Sequence, residues 1–351
     1  MEYRQLGTSG LRISTLTLGT MGYGGKGWAT PVGTLDVSDA RRQLDLAKAA
    51  GVNILDTADV YSFGLSEQIL GEALTQDRDD WIVATKVRMA MGDGPNETGA
   101  SRARIIRGAE DSLRRLKTDH IDLYQLHEWD GQTRLEETWS ALDDLVRSGK
   151  VRYLGISNYT GWQTMKAIWA ADKGGFTKPV ATQVHYSPQT RDIENEIIPA
   201  SIDQGLGILV WSPLAGGLLS GKYRRGQDAP EGSRRFLGWS EPPVYDEELL
   251  YDLIELLVQI GDGHGVSAAQ VALAWTLGRP QVTSLIVAGR TDEQLTDNLA
   301  AASLVLSDDE RAQIDTLTLP DLHYPYWHQR NTSADRLSAA DWSLIAQYTE
   351  S

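Results

Sequence analysis

The sequence predicts an α/β fold: a (β/α)8 TIM barrel with an N-terminal β-hairpin, a long loop after strand seven and a C-terminal extension. Three observations point to it. Short apolar runs alternate with helical patterns in eight successive units, and a β run followed repeatedly by a helix implies parallel strands. The chain has 351 residues, 41% of them hydrophobic, enough for one large α/β core. No stretch rich in Pro, Gly or Ser divides it, so residues 1–351 read as one domain, with a core over about 3–314 and a tail over 320–351.

The elements follow in order. Tyr3–Gly7 and Leu11–Ser14 flank Thr8-Ser9-Gly10, which reads as a hairpin. Thr15–Leu18 is strand-like. The segment from Gly22 to Gly27 then satisfies G-x-G-x-x-G, but the next helix starts only near Asp36. A dinucleotide-binding βαβ unit needs its third glycine in the first helical turn, so these glycines read instead as shaping the first βα loop, with Met21 and Trp28 at its rim. Asp36–Ala50 is helical, with Ser38 as the expected N-cap and Gly51 as the stop. Strand-like Asn53–Asp56, Ile82–Lys86 and Ile121–His127 alternate with helices near Ser66–Leu74, Ser101–Leu116 and Leu135–Arg147. In Ser101–Leu116 the apolar Ile105, Ala109, Leu113 and Leu116 fall at helical spacing.

The second half repeats the rhythm. Strand-like runs at Val151–Ile156, Val180–Val184, Gly207–Trp211 and Ser284–Val287 are separated by helices near Trp162–Ala171, Glu194–Gln204, Glu247–Ile260 and Ala268–Leu277, and a helix near Asp292–Leu299 follows the last. Arg224–Tyr245 breaks the pattern, and loops of that length are usually functional or disordered. The aromatic tail with Tyr324, Tyr326 and Trp327 has two readings: a cap on the barrel wall, or a wall of a substrate pocket.

Bulk properties exclude several functions. A net charge of −15 disfavours nucleic acid as a partner and repels anions at long range. A phosphate-bearing ligand would need a local basic patch. With no cysteine there is no disulfide, thiol nucleophile or cysteine-ligated metal. The six histidines are scattered without H-E-x-x-H spacing, so no metal is expected. No apolar run reaches the roughly 18–20 residues of a membrane span, and the N-terminus lacks a signal-peptide core. The expectation is a cytoplasmic protein with a small-molecule partner.

Four polar residues then stand out. Asp56, Tyr61, Lys86 and His127 sit at, or just past, the ends of strand-like runs. In a parallel barrel those ends converge on the face that carries the chemistry. A carbonyl that accepts hydride becomes an alkoxide and needs a proton. Tyrosine, with an unperturbed pKa of about 10, is a poor acid, and the ammonium of Lys86 is expected to lower that value. Asp56 would pair with Lys86, and a neutral His127 would orient the substrate oxygen. The set amounts to a proton relay and an oxyanion-type site.

These residues also carry a resemblance. Gly51–Tyr61, continuing through Ser66–Gly71, and Ser112–His127 resemble the signature segments of the aldo-keto reductase superfamily, on the branch close to potassium-channel β-subunits and sugar-phosphate reductases. Gly155–Asn158, Gln183 and Trp211–Leu214 match further blocks. The resemblance implies carbonyl reduction with a nicotinamide cofactor. Tyr61 would be the general acid, supported by Lys86, Asp56 and His127. Ser157, Asn158 and Gln183 would hold the carboxamide, and Trp211 would stack on the nicotinamide unless it is core. Thr20, Ser212, Leu214, Lys222 and Gly289 would line the cofactor, with Arg234 on a covering loop. Arg290 would meet a 2′-phosphate, and Gln294 and Asn298 would face adenine, which favours NADPH. Met21, Trp28, Trp129, Tyr326 and Trp327 would shape a roomy pocket for a bulky or cyclic carbonyl such as a keto-sugar or polycyclic ketone. A second reading stays open: a slow-turnover, NADPH-binding redox sensor resembling channel β-subunits.

Overall fold

The computed structural model describes residues 1–75 and 77–349. After a hairpin of β1 (Tyr3–Gln5) and β2 (Arg12–Ser14), the chain lays down eight parallel strands: β3 (Leu16–Gly19), β4 (Ile54–Asp56), β5 (Ile82–Val87), β6 (Ile121–Leu126), β7 (Val151–Ser157), β8 (Pro179–His185), β9 (Gly207–Trp211) and β10 (Val282–Val287). They close into a barrel in sequence order, β10 pairing with both β9 and β3. Residues far apart in sequence thus share one rim.

Both ends of the barrel have a physical explanation. Leu6 and Ile13 of the hairpin are fully buried against Ile54, Ala84, Leu123, Ala181 and Leu209, and they plug the N-terminal end. Thr8 N–H donates to Gly205 O just ahead of β9, which fixes the plug. Around the outside, strand residues such as Leu16, Leu18 and Leu55 pack against helix residues such as Leu44, Leu70 and Leu273. Each such side chain contributes about 1.5–3 kcal/mol relative to exposure. The C-terminal end has no such plug and is left for the loops.

The expected helices form, with one local correction. Helix Val37–Ala49 is capped by Asp36, not Ser38: the Asp36 carboxylate accepts from Ser38 N and Asp39 N, and the Asp36 backbone N–H donates in return to the Asp39 carboxylate. A carboxylate two positions earlier reaches the free amides of Ser38 and Asp39, and its charge suits the positive helix end. Gly51, at φ 86°, ends the helix as expected.

The tail is a cap on the barrel wall. Helix Ala339–Ile345 lies on helix Ile197–Gln204 and buries Leu344 and Ile345. Gln347 donates to Glu194 at 3.0 Å and accepts from Arg279 at 2.8 Å and from Arg191. The Tyr348 hydroxyl donates to Pro320 O at 2.8 Å. Among the described residues, no helix is long and apolar enough to cross a membrane.

Candidate active site

The C-terminal strand ends and their loops enclose a cavity of about 790 Å³, within the 300–1,000 Å³ usual for ligand sites. Thr20, Met21, Trp28, Asp56, Tyr61, His127, Ser157, Asn158, Gln183, Trp211, Ser212, Leu214, Lys222, Arg234, Gly289, Arg290, Gln294 and Asn298 all line it. Lys86 stands directly behind Tyr61. Three residues expected in the pocket wall lie elsewhere. Trp129 stacks edge-on against Tyr159 and Trp162, and Tyr326 and Trp327 belong to the tail's own short helix, Tyr326–Thr332. Trp129 is packed among those rings, whereas Trp327 stays 46% exposed on the tail.

The four strand-end residues meet. Lys86, with no exposed surface, donates from Nζ to Asp56 Oδ2 at 2.7 Å, Thr57 O at 2.9 Å and the Tyr61 hydroxyl at 3.2 Å. The second Asp56 oxygen accepts from Gln183 Nε2 at 2.7 Å. All three ammonium hydrogens are therefore directed, which is what a buried charge requires. Burial works against the Lys86 charge, but Asp56 and Tyr61 outweigh it and hold its pKa above the usual lysine value. The outcome for Tyr61 differs from the sequence expectation. Burial outweighs the pull of Lys86, assisted by the Asp56 charge, and the phenol is raised above 10 rather than lowered. Its hydroxyl therefore stays protonated at neutral pH, as a proton donor must before it acts. Burial, reinforced by Lys86 and Arg88, holds His127 well below the ordinary imidazole range, so the ring is neutral. It meets the Tyr61 ring edge-on, centroids 5.9 Å apart.

The loop that carries Tyr61 is held from three sides. Asp59 N donates to Lys86 O, and the Asp59 carboxylate accepts from Arg104 Nη2 at 2.6 Å. Burial raises Asp59 to about 6 despite that partner. Beyond Tyr61, Ser62 and Phe63 adopt left-handed φ values of 49° and 54°, a strained pair fixed where Ser62 Oγ donates to Tyr23 O.

Across the cavity, Asn158 Oδ1 accepts from Trp211 Nε1 at 2.9 Å while its Nδ2 donates to His127 O at 3.1 Å. These bonds orient the indole, and the His185 ring backs it at 4.8 Å. Trp211 is half-buried and faces the cavity, not the core. Asn158 Oδ1 keeps a second lone pair beyond its Trp211 bond, while the side-chain amide also reaches Glu128. Ser157 Oγ, fully buried, has no partner among the described residues. Polar groups left unpaired in this way are costly unless a ligand pairs them.

The far end of the cavity is cationic. Lys222, Arg234 and Arg290 line it, and among the described residues none is in an ion pair. Arg290 Nη1 donates to Gly232 O at 2.7 Å. Burial lowers both Lys222 and Arg234 from their ordinary values, and repulsion among the three cations adds to it. Gln294 and Asn298 shape this end by holding backbone: Gln294 Oε1 accepts from Arg290 N and Asn298 Nδ2 donates to Ala288 O, each at 3.0 Å. Gly289 is obligatory here, since a Cβ would fall 2.5 Å from Leu295 N.

Sequence reading missed Gly216, Gly217, Glu128, Trp239 and Glu241 in the lining. Gly216 has φ 67°, and a Cβ there would fall 2.7 Å from Glu241 O. The irregular Arg224–Tyr245 stretch was the available signal for Trp239 and Glu241. Nothing local marked Glu128 beyond its place after His127.

The Aldo/keto reductase family model matches residues 15–318. The chain is 41% identical to the oxidoreductase YrpG of Bacillus subtilis, over 87% of this chain and 92% of the relative. It is 34% identical to a probable voltage-gated potassium channel subunit beta of Arabidopsis thaliana, with the same coverage. It is 31% identical to versiconal hemiacetal acetate reductase of Aspergillus parasiticus, over 93% of this chain and 99% of the relative.

Proposed function

Because this chain belongs to the aldo/keto reductase family, we propose that it is a cytoplasmic enzyme that reduces a bulky or cyclic aldehyde or ketone with NADPH, Tyr61 donating the proton. The observation that carries the proposal is the single ammonium of Lys86 bonded at once to Asp56 and to the Tyr61 hydroxyl at the cavity wall.

The residues fit the cofactor. The orphaned Ser157 Oγ, the second lone pair of Asn158 Oδ1 and the half-buried Trp211 suit an amide-bearing ring. The unpaired cations suit phosphate, and Arg290 suits a 2′-phosphate in particular. When bound, NADPH supplies hydride for the carbonyl carbon. The chain's own residues handle the oxygen. Neutral His127 donates a hydrogen bond that orients it. Tyr61 O–H transfers its proton there as negative charge develops. Lys86 stabilises the phenolate left behind, and Asp56 keeps Lys86 charged and in place. Water then restores the Tyr61 proton.

The test is a carbonyl panel followed at the nicotinamide absorbance, with Tyr61→Phe as control. Turnover by the wild-type protein and none by the variant supports the proposal; no NADPH consumption across aldehydes, ketones, keto-sugars and quinones overturns it. The likeness to the Arabidopsis channel subunit favours a second reading, a slow-turnover NADPH-binding sensor. Turnover slower than cofactor release, with nanomolar retention, would select it.

A further inference from the structure

We propose that the substrate side of this cavity selects carbonyl compounds that carry a positive charge, with Glu128 and Glu241 as counter-charges and Trp28 and Trp239 as aromatic walls. The inference rests on the reductase reading and names its substrate class.

The cavity has two electrical ends. Lys222, Arg234 and Arg290 occupy one, matched to the phosphates of a dinucleotide. Glu128 and Glu241 line the same cavity, and among the described residues neither is in an ion pair. Glu128 follows His127 directly and is half-buried, so it lies beside the proton relay. Glu241 comes in on the long loop, two residues after Trp239. The cation nearest Glu128 is Arg88, which does not line the cavity and donates instead to Trp129 O at 3.0 Å. Burial, together with the charge of Glu241, raises Glu128 above the usual carboxylate value although Arg88 and Asn158 act against this. A half-buried carboxylate beside another, without a cationic partner in the wall, is destabilising until a cation arrives.

Two independent features mark this end as a ligand site. His127, nine-tenths buried, lines the cavity with neither ring nitrogen hydrogen-bonded among the described residues. Trp28, 39% exposed at the rim, sits on the loop tied to the Tyr61 turn through Lys26 N and Ser62 Oγ. Indole faces attract cations, and carboxylates set beside them add charge recognition. The protein's net charge of −15 works in the same direction, since it draws cations and repels free anions. An anionic carbonyl meets like charge at the point where its oxygen must reach Tyr61.

The test compares three benzaldehydes under saturating NADPH: 4-formyl-N,N,N-trimethylanilinium, 4-nitrobenzaldehyde and 4-carboxybenzaldehyde. The ammonio and nitro groups withdraw electrons similarly, so their kcat/KM ratio reports charge. We expect the cation to be preferred over the nitro compound by about tenfold at low salt, the carboxylate to be poorest, and the preference to shrink in 0.5 M NaCl. In Glu128→Gln and Glu241→Gln the cation-to-nitro ratio should fall toward one. Glu241 is exposed, so that variant tests the idea even if Glu128→Gln fails to fold. A wild-type ratio within twofold of one, or a preference kept in both variants, overturns the proposal. Binding of benzyltrimethylammonium against neutral neopentylbenzene, read by tryptophan fluorescence, needs no turnover. If nothing is reduced but the cation binds tightly and weakens in the variants, the reductase reading fails and charge selection stands. If all three aldehydes are reduced alike, charge selection fails and the reductase reading stands.

Discussion

Lys86 and the trio Lys222, Arg234 and Arg290 are cations in the same active-site region, under opposite conditions. Lys86 has every hydrogen assigned within the protein, to Asp56, Thr57 and Tyr61. The trio faces the cavity and makes no ion pair among the described residues, and Lys222 and Arg234 are lowered by burial and by the neighbouring cations. The difference teaches which charges serve the protein's own machinery and which await a ligand. A buried charge that is saturated internally is held rigidly by the protein's own groups. A charge left unsaturated at a cavity wall stores an electrostatic cost that an anion relieves on binding.

The largest effect that would break this comparison is catalytic. Tyr61→Phe should lower kcat by about 10²–10⁴-fold and leave the NADPH dissociation constant within twofold. A large loss of cofactor affinity would instead make Tyr61 a binding residue. Lys86→Met should abolish turnover and also cost about 3–5 kcal/mol of stability, because Asp56 would be left buried without its cation; urea unfolding measures it. The trio should behave in the opposite way. Arg290→Ala should weaken NADPH by about 2 kcal/mol, some 30-fold, and weaken NADH much less, by fluorescence titration. Arg234→Ala should leave unfolding stability within about 0.5 kcal/mol of the parent or raise it. A clear loss of stability there would mean that the cation is structural.

A further effect concerns pH. His127 is depressed in the fold, so it contributes stability that is present above its unfolded value near 6.5 and lost as pH falls. Wild-type stability should therefore decline between pH 7 and pH 5 more steeply than that of His127→Asn, by up to about 1.4 kcal/mol per pH unit. Equal slopes would mean that the imidazole is not buried neutral. Activity should not inflect near pH 6.5, since the folded ring stays neutral through that range.

Much of the molecule was legible because it depends on local pattern. Eight strand–helix units announced the barrel, and the polar residues at strand ends announced the rim where its cavity lies. Where local pattern was insufficient, the reading slipped in identifiable ways. Ser38 is the cap expected for a helix that Asp36 caps, because the carboxylate two residues earlier accepts from the Ser38 and Asp39 amides and starts the helix sooner. Trp129, Tyr326 and Trp327 are aromatic residues of the kind that suits pockets, yet Trp129 packs on Tyr159, and Tyr326 and Trp327 sit on the tail's short helix, where Trp327 meets Tyr324. Glu128 and Glu241 were passed over because nothing in their immediate sequence distinguishes a cavity carboxylate from a solvated one.

By itself the chain's order of apolar runs, turns and strand-end residues determined that an acid, a phenol, an amine and an imidazole would share one rim, because a closed parallel barrel brings every strand's C-terminal end to the same side. Only the tertiary structure decided how strongly the phenol, the amine and the imidazole hold their protons, which carboxylate oxygen each donor meets, and which charges go unpaired. Those properties depend on burial and on neighbours up to 127 residues away, as between Asp56 and Gln183, and such distances exist only once the barrel has closed.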